Sequence, residues 1–328
     1  MTRMLLLGAG FSRNWGGWLA SEVFEYLLGC PEISGSQRLM DLLWECQKSG
    51  SGFEGALADL QNMVTREPEG LEELRALDRA VSSMFVQMNR GFSRMNIDHN
   101  GSGSRSIRTF LTLFDAIFTL NQDSLMEHQY LGPVNSSPQN VRQGKWKGIE
   151  LPGMRTPAQN EYLTPDPGLP WIGWWEPAPP EQYEVNPYYQ PYFKLHGSAN
   201  WRSDDGRSML IMGGNKAHEI GLSPVLQWYQ EQFREHLSRG DSRLMVIGYG
   251  FRDKHINEVI KQAVRNHGLK LFVISPDGAS QAEKVREFDN ELEDAFRQGL
   301  IGASRRPLRD TFSEAGSIEF AKLFRFLS

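Results

Sequence analysis

The chain has 328 residues, 40% of them apolar and 23% charged, with 32 glycines, 17 prolines and a formal charge of −5. That composition belongs to an ordinary globular protein and excludes disorder, a collagen-like repeat and a coiled coil. The mild negative charge gives no general affinity for nucleic-acid phosphates, and two cysteines, Cys30 and Cys46, cannot build a disulfide framework or a four-thiolate metal site.

Met4 to Leu7 reads as a short buried strand that runs into the glycine turn Gly8-Ala9-Gly10-Phe11-Ser12. A helix is expected from about Gly17 to Leu28, with Leu19, Val23 and Leu27 at helical spacing. Strand, glycines and helix start in that order form the layout of a phosphate-binding loop, in which the backbone approaches a pyrophosphate. Taken alone, the turn reads equally well as a plain structural turn. No acidic residue ends a second strand about 20 residues on, as an ordinary dehydrogenase fingerprint requires.

Residues 36–104 are expected to be a helical insertion or cap. Leu39, Leu42, Leu43 and Cys46 fit one apolar stripe, and Leu74, Leu77, Val81, Met84 and Phe85 fit another. His99 to Ser104 reads as a turn before a short helix holding Ile107, Phe110 and Leu111. Phe114 to Leu120 has the character of a second buried parallel strand, and it feeds into Asn121-Gln122-Asp123. Polar residues at a strand's carboxyl end sit where open α/β sheets bind ligands, although Asn and Asp there also suit a helix N-cap.

Residues 130–191 read as a long irregular insertion packed by its aromatics, Trp171, Trp174 and Trp175 among them, and holding 12 of the 17 prolines. Three strand-and-turn units follow. Tyr192 to Leu195 leads into His196-Gly197-Ser198, Arg243 to Ile247 into Gly248-Tyr249-Gly250, and Lys270 to Ile274 into Ser275-Pro276-Asp277. Helices are expected at about 222–238, 254–267 and 279–299. The alternation implies an α/β fold with a Rossmann-like, doubly wound parallel sheet, carried by one domain over residues 1–328.

His196, at a predicted strand end, is the histidine best placed to titrate near neutrality and take a proton from a hydroxyl or water. The other six have weaker claims: His128, His236, His255 and His267 fall on predicted helices, none pairs with another as a metal site, and no metal is expected. No run of 18 apolar residues is present, so a cytoplasmic protein without membrane association is expected.

The joint order of these segments resembles the sirtuin family. Gly8, Ala9, Gly10, Ser12 and Gly16 match its Gly-Ala-Gly-x-Ser-x-x-x-Gly, Thr119-Leu120-Asn121-Gln122-Asp123 its Thr-x-Asn-x-Asp, and His196-Gly197-Ser198 its catalytic His-Gly-Ser. The departures are equally specific. The four-cysteine zinc ribbon is missing, Gly17-Trp18-Leu19-Ala20-Ser21 stands where the family carries Ile-Pro-x-Phe-Arg, and Gly248-Tyr249-Gly250-Phe251-Arg252-Asp253 replaces its Gly-Thr-Ser loop.

In these departures the chain looks like the zinc-less sirtuin-like effector domains of prokaryotic anti-phage defence systems. The resemblance implies an NAD+ hydrolase that releases nicotinamide and ADP-ribose and depletes NAD+ during infection. It further implies an oligomer working with a partner or sensor: an ATPase or helicase-like protein, an Argonaute-like protein or a nucleotide-sensing protein. By the same carry-over Gly8, Ala9, Gly10, Phe11 and Ser12 would cradle the pyrophosphate, and Asp123 would accept from the nicotinamide amide. Asn121 would hold the ribose or the attacking water, and His196 would be the general base. Gly248 and Tyr249 would line the adenosine side, with Ser275 near its ribose. Two rival readings are a deacylase or ADP-ribosyl transferase, and a silent nucleotide-sensing or assembly module.

Overall fold

Apolar runs buried on both faces become strands of a parallel sheet. The computed structural model describes residues 1–66, 70–98, 105–131, 145–156, 175–203, 206, 208–214 and 216–328. The expected turn at His99 to Ser104 and the tryptophans Trp171 and Trp174 lie outside them. The described strands are β1 (Thr2–Leu7), β2 (Ala116–Thr119), β3 (Gly148–Glu150), β4 (Met154–Arg155), β5 (Glu176–Pro177) and β6 (Tyr189–Lys194). They continue with β7 (Gly197–Arg202), β8 (Ser208–Leu210), β9 (Ser242–Ile247), β10 (Lys270–Ile274) and β11 (Leu300–Ser304).

Seven of them form one parallel sheet in the order β11-β10-β9-β1-β2-β6-β3, flanked by helices, which is a Rossmann-like architecture. Met4 to Leu7 of β1 are fully buried and pair with β2 on one side and β9 on the other. The chain leaves β1 toward β2 and later returns to add β9, so the sheet's direction of growth reverses at β1. The crevice beyond the carboxyl ends of β1 and β9 is therefore the place for a ligand.

The glycine turn and the expected helix after it hold two helices: a short one, Ala9–Arg13, begins inside the turn, and the expected one starts at Ala20 and ends at Leu28 as its spacing predicts. Gly16, at φ +82°, reverses the chain between them, and a Cβ on Gly17 would stand 2.8 Å from the Ser12 side chain. The expected helix 279–299 is likewise two, Gln281–Arg286 and Asn290–Gly299, because Asp289 Oδ1 accepts from Leu292 N–H at 2.9 Å and caps a new start. After β6 the chain forms the hairpin β7–β8 before its next helix, and Gly197 at φ +69° makes that possible. A Cβ there would fall 1.9 Å from the Met209 carbonyl.

The Pro/Trp-rich insertion is not wholly irregular. It supplies β3, which extends the sheet in register with β6, and the small ladder β4–β5. Trp175 is bonded to β7 through Asn200 and Arg202, while Tyr183 stacks on Trp228 at 5.1 Å.

Helices Gln37–Ser49, Gly52–Arg66 and Leu71–Ser93 occupy the expected helical stretch. With Ala20–Leu28 they bury a core of their own, including Leu27, Leu39, Leu43, Leu57, Leu77 and Val81, beside the larger core around the sheet. Met88 packs against both. Among the described residues no helix is long and apolar enough to cross a membrane.

Candidate active site

The carboxyl ends of six parallel strands open on one cavity of about 980 Å³. Its floor comes from Gly8 and Gly10 after β1, Asn121 to Asp123 after β2, His196 after β6, Gly248 and Tyr249 after β9, Ser275 to Asp277 after β10, and Arg305 to Arg309 after β11. The helical layer closes one side with Glu54, Met84, Phe85 and Met88.

The glycines after β1 and β9 are dictated first by each other. Gly10 N–H donates to the Gly248 carbonyl at 2.9 Å. A Cβ on Gly8 would lie 2.6 Å from that carbonyl oxygen, and one on Gly248, at φ +67°, would lie 2.3 Å from Gly10 C and Phe11 N. Only two bare backbones fit.

This packing also consumes donors. Phe11 N–H donates to the Gly8 carbonyl at 2.8 Å and Gly8 N–H to Ile247 at 2.9 Å. The N–H groups of Gly8, Gly10 and Phe11 are thus satisfied within the protein, whereas a phosphate cradle would leave them to the ligand. Positive charge facing the cavity comes instead from Arg13, Lys216, Arg252, Arg305, Arg306 and Arg309. Sequence reasoning missed the last three, whose only signal is the dense Arg305-Arg306-Pro307-Leu308-Arg309 run after a short apolar segment. Asn14 ties the two parts together. Its amide donates to the Gly10 and Phe11 carbonyls, and its oxygen accepts from Leu308 N–H at 3.0 Å.

Two residues expected to touch the pyrophosphate face elsewhere. The Phe11 ring is buried in the sheet core against Trp15, with ring centroids 4.9 Å apart. Ser12 is buried; its hydroxyl donates to Asp123 Oδ2 at 2.8 Å and accepts from Asn121 Nδ2 at 3.0 Å. Ser12 therefore fixes the orientation of Asn121 and Asp123 relative to each other, and neither Ser12 nor Phe11 lines the cavity.

Asn121 is further held by its own N–H on Thr119 Oγ1, at 3.0 Å. Asp123 is buried, which pushes its carboxyl up, against the pull of Lys194, the Leu125 N–H and Ser12. The wholly buried Lys194 reaches under this loop, donating to the Asp123 carbonyl at 2.6 Å and to Glu127 Oε1 at 2.5 Å. Gln122 joins the loop to the next strand end: its amide donates to the carbonyls of His196 and Ile211, and its carbonyl accepts from Ala199 N–H at 2.9 Å.

His196 is 3% exposed. Burial, aided by Lys216 and His255 and opposed by Asp253, pushes it down to about 3, so its ring is neutral at pH 7. Its Nε2 stands 3.0 Å from Nε2 of His255. The sequence reading placed His255 on a helix with no partner; the structure brings the two rings together because His255 lies in the first turn of Lys254–His267, directly beyond β9.

Asp253 caps the same corner. Lys216 Nζ lies 3.0 Å from Asp253 Oδ1 and 2.7 Å from Glu54 Oε2. Burial alone would raise Asp253, but His196, Lys216 and His255 outweigh it and hold its carboxyl below the usual range.

Tyr249 acts as a strut: its buried hydroxyl donates to Asn257 Oδ1 at 3.0 Å and accepts from Asp253 N–H at 3.1 Å. Asn257 Nδ2 donates to the carbonyl of Phe251, a non-glycine residue at φ +56°. Ser275 faces the cavity with its Oγ accepting from Gly278 N–H at 3.1 Å.

A doubly wound parallel sheet with this cavity at its reversal point defines a Rossmann-like architecture. The chain belongs to the SIR2-like domain family, whose model matches residues 115–296, from the start of β2 into helix Asn290–Gly299. That family is one of NAD+-dependent enzymes. No curated protein matches the chain.

Proposed function

We propose that this protein is an NAD+ glycohydrolase, cleaving the bond between nicotinamide and ribose to give nicotinamide and ADP-ribose. The observation that supports it best is the conjunction of a neutral, buried His196 with an Asn121/Asp123 pair fixed by Ser12 on the same cavity. The bond breaks with its electron pair passing to the nicotinamide nitrogen, which loses its positive charge, while positive charge develops on the ribose. Asp123 accepts from the nicotinamide amide and Asn121 orients the ribose or the attacking water. The water oxygen then bonds to C1′, and its proton passes to His196 Nε2 and on to solvent. The arginines of the 305–309 segment, with Arg13 and Arg252, balance the pyrophosphate charge, while Ser275 sits toward the adenosine end.

The missing zinc ribbon and the replaced Gly-Thr-Ser loop count against acyl-lysine recognition, so water is the acceptor in this reading. The role that fits such an activity is NAD+ depletion in anti-phage defence, in the cytoplasm, as an oligomer with a separate sensor protein: ATPase or helicase-like, Argonaute-like or nucleotide-sensing.

The test is chromatography of purified protein incubated with NAD+ and no acceptor. Nicotinamide release that falls by at least about 100-fold in both His196→Ala and Asn121→Ala supports the assignment. Wild-type rates in either variant would sink it. The engagement of His196 Nε2 by His255 favours one second reading, a nucleotide-binding module without turnover. Thermal stabilisation by NAD+ with no nicotinamide released, alone or with its partner, would select that reading.

A further inference from the structure

We infer that His196, His255 and Asp253 form a binding site for one divalent transition-metal ion of the zinc class, and that the bound ion silences His196. The inference on silencing rests on the hydrolase reading; the site itself does not.

The two imidazoles meet through the same ring atom, Nε2, at 3.0 Å. One ligand atom from each of these histidines and one from the Asp253 carboxylate all lie within 4.8 Å of one another. Two nitrogens bound to zinc at about 2.0–2.1 Å with tetrahedral angles lie roughly 3.3 Å apart. The rings therefore need to spread by only about 0.3 Å to admit an ion between them. Two imidazoles and one carboxylate form the donor set of an open zinc site, with three protein ligands and a fourth position left for water.

The third ligand is already oriented. Lys216 holds Asp253 Oδ1 at 3.0 Å and is itself held by Glu54 at 2.7 Å, which leaves the other carboxylate oxygen for the ion. His196, Asp253 and Lys216 all line the cavity, so an ion reaches the site by the route a nucleotide would use.

The functional consequence follows from the atom involved. In the neutral tautomer protonated at Nδ1, the one that can act as base, His196 Nε2 carries the ring's single lone pair, and an ion that takes it leaves nothing to accept a proton. Metal-bound protein would hold nucleotide but not turn it over, and removal of the ion would restore the base.

The experiment uses the full chain, treated with chelator and dialysed, and titrated with CoCl2 as a spectroscopic probe and then ZnCl2 as competitor. One Co2+ per chain with the strong visible bands of a four-coordinate ion, displaced by Zn2+, is expected. In His255→Gln and Asp253→Asn, both checked for a native melting transition, Co2+ affinity falls by at least about 10-fold, the lower end even for loss of an outer-shell partner. Nicotinamide release by the wild type falls over the same Co2+ range. No uptake by folded wild type, or uptake unchanged in both variants, overturns the site and leaves a simple hydrogen bond between the rings. Uptake with undiminished nicotinamide release overturns the silencing. If metal-free protein releases no nicotinamide either alone or with its partner, the hydrolase reading fails while the spectral titration still decides the site.

Discussion

Ser12→Ala separates two roles for the residue in the last turn of the short helix after β1. Its hydroxyl donates to Asp123 Oδ2 at 2.8 Å and accepts from Asn121 at 3.0 Å, so the variant removes one hydrogen bond to a buried carboxylate and orphans an amide N–H. A hydrogen bond to a charged group contributes about 1.5–3 kcal/mol. Loss of that amount in the transition state corresponds to a fall in kcat of about 10- to 150-fold. Because Ser12 faces Asn121 and Asp123 and not the cavity, KM for NAD+ is expected to stay within about 2–3-fold, the ordinary scatter of such contributions. The assay is nicotinamide release across a range of NAD+ concentrations, with chemical denaturation alongside to show a stability loss in the same 1.5–3 kcal/mol range, roughly. A raised KM with unchanged kcat would refute the reasoning and return Ser12 to the pyrophosphate.

Three further outcomes follow from particular contacts. Gly248→Ala meets backbone at 2.3 Å and a left-handed φ of +67°, so denaturation should show a loss beyond the roughly 1–3 kcal/mol of backbone strain alone; a loss under about 1 kcal/mol would contradict the close approach. Lys194→Met leaves Asp123 and Glu127 buried without their cation and should cost about 3–5 kcal/mol near neutrality. Both carboxyls are already pushed up by burial, so their favourable contribution is lost as pH rises through the raised values; the defect should shrink on acidification, and a pH-independent defect would count against the pairing. His196 titrates at about 3 in the fold against an ordinary 6.5, so its contribution is complete above 6.5 and lost as pH falls toward 3. Relative to His196→Gln, the wild type should lose up to about 1.4 kcal/mol per pH unit in that window, and parallel stability curves would show that the ring is not held neutral.

The strands that frame the site were legible because each is a short apolar run ending in polar residues or glycine. Lys270–Ile274 and helix Lys254–His267 have the bounds that periodicity predicts, and Asn121, Asp123 and His196 do sit at strand ends around one cavity. What sequence could not carry was direction. Phe11 and Ser12 lie in the glycine turn, yet a short helix rotates one into the core and the other onto Asn121 and Asp123.

His255 follows helical spacing like any other helix residue, and only the sheet order, which sets the carboxyl ends of β9 and β6 on either side of β1 and β2 at one edge, brings it to His196. Its available signal was Asp253-x-His255 immediately after a glycine-ended strand. β3 and β11 escaped for opposite reasons. The first is a half-polar edge segment within the proline-rich insertion, and the second follows its helix with no turn residue between them. Arg305 to Arg309 were missed with β11, since a residue can be placed at a strand end only once the strand is known.

The mutual approach of the Gly8–Gly10 and Gly248 backbones limits how this chain can diverge. A Cβ at Gly10 or Gly248 meets main-chain atoms of the facing loop. Shrinking a neighbouring side chain cannot relieve such a clash, so no ordinary second-site suppressor exists for a replacement there. The two loops, nearly 240 positions apart along the chain, form one inherited unit: relatives that lose either glycine should also have re-routed the opposing loop, and a library randomised at one loop alone should return almost only the starting residue.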